Sequence, residues 1–178
     1  MDFFVVPTAT WNLLYGFFVI HHGRRLILHF DATFHPGESW LCQQMREAFP
    51  GDGRAPQFII LARDSSFSPL VLRTLRNMGL KLKRTSVKSP WQNGTAERWI
   101  ASLRRDMLHH VIVIDEEHLY RLVGAYISYY HEDRTHLSLG KDPPRHRPLE
   151  ERPDLPSVVA ALPRVGGLHH RYTWKRAA

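Results

Sequence analysis

A chain of 178 residues, 43% hydrophobic and 23% charged, has the composition of an ordinary folded protein with room for one core. Its net charge of +7 and pI near 9.9 point to polyanionic partners. The single cysteine, Cys42, excludes an internal disulfide and a cysteine-built zinc site and fits a reducing cytosol; the apolar stretch Trp11 to Ile20 is shorter than the ~20 residues of a membrane span.

Phe3 to Pro7 reads as a first strand, and Trp11 to His21 as a second, buried one. His22-Gly23 breaks the run, and Arg24 to Phe30 alternates as a third strand, so an antiparallel meander is expected. Pro36 suits the first turn of a helix carrying Trp40, Leu41, Gln44, Met45 and Ala48 at helical spacing. Beyond the Gly/Pro-rich loop 50–56, Phe58 to Leu61 is short and wholly apolar, the mark of a central strand. Ser68-Pro69 opens a helix bearing Leu72, Leu75 and Met78 that Gly79 closes. Lys81 to Thr85 is a fifth strand. A longer helix is expected from near Gly94 to about His109, burying Trp99, Ile100, Leu103 and Met107. Asp115 caps another, whose apolar face runs from Leu119 to Tyr130. This order predicts an α/β domain: a five-stranded mixed sheet flanked by helices.

The character changes at Lys141. Pro143, Pro144, Pro148, Pro153, Pro156 and Pro163 are half of the chain's twelve prolines, and apolar periodicity is lost. Residues 141–178 are expected to form a Pro-rich, basic, loosely ordered tail behind a domain at 1–140. Its end, Leu168 to Arg176, mixes basic and aromatic residues and reads as a solvated chain end or, second, as a nucleic-acid contact. The histidine pairs at 21–22, 109–110 and 169–170 point apart on strands or helices, which disfavours a zinc cluster.

Three acids stand where metal-assisted chemistry would want them. Asp2 opens the first strand, Asp64 follows the fourth, and Glu97 falls in an early turn of the longer helix. Singly, each has a plain explanation: a solvated terminus, a loop or helix cap, a first-turn acid facing the helix dipole. Glu97, however, has no ion partner three or four residues away, where Asn93, Gly94, Ile100 and Ala101 stand. The run Lys88-Ser89-Pro90-Trp91-Gln92-Asn93-Gly94-Thr95-Ala96-Glu97-Arg98 closely resembles the S-P-x-x-N-G-x-x-E signature of bacterial insertion-sequence transposases and retroviral integrase cores. Tyr129-Tyr130-His131-Glu132-Asp133-Arg134-Thr135-His136-Leu137-Ser138-Leu139-Gly140 is similar to their Y-N-x-x-R-P-H-x-x-L-G stretch, read here as ordering the end of the last helix.

The resemblance, spanning about Asp2 to Leu139, implies a DDE-type integrase/transposase catalytic core of ribonuclease H-like fold at residues 1–140. It implies a polynucleotidyl transferase for DNA cleavage and strand transfer, in which Asp2, Asp64 and Glu97 are catalytic and hold two Mg²⁺ or Mn²⁺ ions. Transposon-end and target DNA are the implied partners, with homo-oligomers on DNA and a bacterial, nucleoid-associated setting. Expected DNA contacts are Lys81, Lys83, Arg84, Lys88, Arg98, Arg104 and Arg105 on phosphates, and Trp91, Gln92 and Asn93 beside the reacting group. Two departures bear on activity more than on fold. Only Met1 precedes Asp2 and no helix-turn-helix lies ahead of it, so a core shortened at its start is expected. The second motif reads Asp64-Ser65-Ser66-Phe67 where the family has D-x-G-S-x-F/Y, with a spacing to Glu97 short for the family. The alternatives are an inactive remnant that binds DNA, a ribonuclease H-like nuclease that cuts without joining, and a non-catalytic protein-interaction domain.

Overall fold

The computed structural model describes residues 1–50, 56–62, 66–86 and 89–177. Strands β1 (Asp2–Pro7), β2 (Leu13–Ile20) and β3 (Ile27–Thr33) form the antiparallel meander, in the order β1-β2-β3. Then follow α1 (Glu38–Ala48), β4 (Phe58–Leu61), α2 (Pro69–Asn77) and β5 (Lys81–Arg84), and after them α3 (Gly94–Asp106) and α4 (Glu116–Glu132). Local signals act as expected at the helix starts. Ser68 accepts from the Val71 amide at 3.4 Å with Pro69 in the first turn, and Asp115 accepts from the His118 amide at 2.8 Å.

Alternation along the strands decides which helix lies on which face. Phe4, Leu14, Phe18, Ile20 and Phe30 pack against Trp99, Leu103, Val123 and Tyr126 of α3 and α4. Phe17 and Val19 point the other way, onto Leu41 and Met45 of α1 and Val71 and Leu75 of α2. Trp99 anchors the first layer, with its ring centroid 4.2 Å from that of Phe18 and 5.9 Å from that of Phe4. Gly16 is what admits Phe4. A Cβ there would fall 2.6 Å from Phe4 Cε1, and Phe4, 2% exposed and stacked on Phe30, has nowhere to go. Gly16→Ala is expected to lower stability by about 1–3 kcal/mol, read as a shift in urea midpoint at unchanged slope.

The expected five-stranded sheet needs correction. Among the described residues β1-β2-β3 is one sheet, and β4 pairs in parallel with β5 as another. The Met1 nitrogen donates to the Ile60 carbonyl at 3.2 Å between them. β4 lies beside residue 1, ahead of the β1 ladder, and its Ile59 and Leu61 share an apolar cluster with Phe17 and Val19 of β2.

Residues 141–178 hold more regular structure than their composition suggests. β6 (Ser157–Arg164) and β7 (His169–Arg176) make an antiparallel hairpin in register from Ser157↔Arg176 to Arg164↔His169. Gly166 (φ 63°) and Gly167 (φ 91°) supply the left-handed backbone of its turn. Polar groups dock it on α4. Arg164 reaches Ser128 Oγ at 3.1 Å and Glu132 Oε2 at 2.9 Å, and the His169 ring stacks on Tyr129 with centroids 4.3 Å apart.

One buried histidine ties α4 to the meander. His131 Nε2 accepts the Ile27 amide at 2.8 Å, which requires a neutral ring protonated on Nδ1. Burial, then the Arg145 charge, pulls its pKa down from 6.5 to about 4. The unfolded chain therefore binds the extra proton first. Stability is complete above pH 6.5 and falls between pH 6.5 and about 4, with this residue contributing on the order of 2 kcal/mol. Melting temperature against pH should show that slope, and His131→Gln should make it shallower, leaving the part due to His136, whose pKa burial and then the Arg134 and Arg25 charges also lower to about 4.

Candidate active site

On β1, Asp2 shares its face with Phe4 and Val6, so its side chain emerges beside α3. The amide of Phe3 donates to its Oδ1 at 2.9 Å. Asn93 Nδ2 donates to its Oδ2 at 3.1 Å and to the Met1 carbonyl at 3.2 Å. A short 3₁₀ turn, Pro90–Asn93, runs straight into α3 and delivers Asn93 to that point. Gln92 secures the approach: its Oε1 accepts the Ser86 amide at 2.6 Å, and its Nε2 donates to Ser86 Oγ at 3.3 Å.

Glu97 lies one helical turn beyond Asn93, opening to solvent. Desolvation on its inner side, then the negative charge of Asp2, raises its pKa above the ordinary value, and Arg104 partly opposes them. Asp2 and Glu97 are thus brought together from strand and helix as two carboxylates that repel. Asn93 Oδ1 beside them is buried with no hydrogen-bond partner among the described residues. This oxygen-rich, electron-rich corner suits a hard divalent cation. Among the described residues no three His, Cys, Asp or Glu side chains converge on one point. Asp64, three positions past the end of β4, lies outside the described residues, as does Lys88.

The other expected contact residues separate. Trp91 is 73% exposed beside the site, and Gln92 is exposed there too. Arg104 acts on Glu97 electrostatically. Lys81 and Lys83 hold their ammonium groups 5.5 and 5.7 Å from the Phe58 ring on the β4–β5 pair, and Arg84 is exposed at the end of β5. Arg98 and Arg105 line a different cavity on α3. Asn93 faces inward: at 1% exposure its amide is engaged with Asp2 and the Met1 carbonyl.

Residues 78–144 match the family model described as "Integrase core domain". No curated protein matches the chain. Among solved structures, the chain is similar to one in the simian T-cell lymphotropic virus intasome in complex with PP2A regulatory subunit B56 gamma. That likeness has a TM-score of 0.60 at 13% identity and covers 98% of this chain and 64% of the other. It is also similar to the catalytic core domain of BIV integrase, with TM-score 0.56 and 9% identity over 80% of this chain and 88% of that one. This chain therefore spans just under two thirds of the length of the intasome chain. At such identities the likeness carries the fold: α/β, of the ribonuclease H-like type. No helix among the described residues is long and apolar enough to cross a membrane.

Proposed function

Taking an integrase-like core as the premise, we propose that this chain is the catalytic core of a DDE-type transposase or integrase. It would hydrolyse a DNA strand at a mobile-element end, then direct the freed 3′ hydroxyl onto a target phosphodiester, displacing the target's own 3′ oxygen. One observation carries this reading: Asp2 and Glu97, 95 positions apart in sequence, bear on each other electrostatically at a strand start and a helix start.

Asp2, Asp64 and Glu97 would hold two divalent cations, Mg²⁺ or Mn²⁺. Bound there, the cations lower the pKa of the attacking hydroxyl and neutralise charge on the phosphate. The chain's own part is placement. Asn93 and the Phe3 amide hold both oxygens of Asp2, and Arg104 offsets negative charge at Glu97. Exposed Trp91 and Gln92 border the approach for the DNA strand, and Arg84, Arg98, Arg104 and Arg105 supply cations for its backbone. The paired processing of two element ends calls for a homo-oligomer on DNA.

The test is Mn²⁺-dependent nicking and joining of a labelled branched DNA by the full chain, beside Asp64→Asn and Glu97→Gln. The reading expects both steps in the parent and neither in the variants. Nicking without joining would move the assignment to a nuclease. DNA binding with neither step would leave a remnant.

A further inference from the structure

A second polar cavity, of about 270 Å³, lies on the neighbouring flank of α3. Three distant segments enclose it: Arg25 of the β2–β3 turn, Arg98 and Arg105 of α3, and Tyr130, Arg134 and His136 at and beyond the end of α4. No acid lines it. Arg105 and Arg134 share Asp106, each at 3.0 Å, while Arg25 and Arg98 have no carboxylate partner among the described residues. Four guanidiniums against one carboxylate leave a surplus of positive charge facing a small, half-open space.

The walls are built for an occupant. His136 is 5% exposed, yet its Nε2 is buried with no hydrogen-bond partner among the described residues. Leaving such an atom unsatisfied is costly, and a ligand oxygen would relieve it. Its backbone is fixed by bonding to the Asp142 carbonyl at 3.1 Å, and its ring sits edge-on to Tyr130 with centroids 4.8 Å apart. Arg25 is held in left-handed backbone (φ 59°), where a side-chain-bearing residue is strained. Arg24 pins that turn through bonds to the Pro144 carbonyl (3.1 Å), Asp142 Oδ2 (3.2 Å) and the Pro143 carbonyl (3.1 Å). The 129–140 stretch, read from sequence as ordering the end of a helix, thus supplies one of the three segments around the cavity, through Tyr130, Arg134 and His136.

We propose that this cavity is an oxyanion site that takes a phosphate group, gripped by the Arg25 and Arg98 guanidiniums with His136 Nε2 donating to it. Forked guanidiniums match phosphate oxygens, and charge-assisted bonds are the strong ones. The phosphate is either free or part of a nucleic-acid backbone; the chemistry of the grip is the same. The site uses none of the three carboxylates, so it survives if the strand-transfer reading fails.

The experiment is thermal melting of the full chain in rising inorganic phosphate, with ionic strength held constant by chloride, beside an Arg25→Gln/Arg98→Gln double variant. The parent's melting temperature should climb with phosphate, and the variant should need at least about tenfold more for the same rise, the size of one lost charge-assisted bond. The His136 ring resonances of the parent, followed by NMR, should move over the same phosphate range, which keeps the test alive if the variant folds poorly. An equal rise in parent and variant, or unmoved His136 resonances, would overturn the proposal. A labelled DNA duplex then separates the sources. Displacement by phosphate at constant ionic strength, lost in the variant, assigns the pocket to a backbone phosphate. Simultaneous binding of both assigns it to the free anion.

Discussion

A Glu97→Gln variant is expected to lose Mn²⁺-dependent strand joining by more than the ~10²–10³-fold that removal of a single charge-stabilising group costs, and to melt no lower than the parent in metal-free buffer. The two halves follow from one arrangement. Desolvation and the Asp2 charge raise the pKa of Glu97 in the folded protein. An acid whose folded pKa is raised binds more protons folded than unfolded, so its ionisation as pH climbs through that range works against the fold. Glutamine removes that penalty at neutral pH. Divalent cation should do the same for the parent by binding the pair, so the parent's melting temperature should rise with Mn²⁺ while the variant's stays flat. A destabilised, metal-insensitive variant would mean that Glu97 serves the fold and would sink its assignment as a ligand.

Asp133→Asn is expected to cost about 3–5 kcal/mol, the usual result of removing one partner from a buried ion network. Its side chain is only 2% exposed and gathers three cations: Arg164 at 2.8 Å, Arg147 at 3.1 Å and Arg171 at 3.6 Å. Two of these, Arg164 and Arg171, belong to the β6–β7 hairpin, whose outer residues Val158, Val159, Leu162 and Tyr172 are exposed. A two-stranded hairpin has little stability of its own. It stays on α4 because Asp133 and Glu132 hold its arginines and Tyr129 stacks on His169. Amide hydrogen exchange should therefore show lost protection across 157–176 before the meander opens. Unchanged protection there would mean that the stack alone is enough.

The helical and strand elements were readable because each rests on a short-range signal. β4 was bounded correctly by its run of four apolar residues and the start of α4 by the Asp115 cap, while α3, expected to run to about His109, ends at Asp106. The hairpin was not, because only one side of it meets the core and does so through arginines and a histidine. Hydrophobic alternation, the cue for a half-buried strand, is therefore missing from β6 and β7. Glu97 was singled out by its motif. That Asn93 turns inward to hold Asp2 was not legible, since the same N-G dipeptide serves equally as an exposed turn.

By itself the sequence determined the α/β order of elements, the apolar faces that pack them and the acids offered for chemistry, all properties of residues within a turn or a strand of one another. Tertiary structure alone decided that Asp2 bears on Glu97, that β4 pairs with β5 apart from the meander, and that Arg25, Arg98 and His136 line one cavity. Periodicity fixes which way a side chain points on its own element. Which distant side chains it then faces depends on how the elements pack, and no local pattern encodes that.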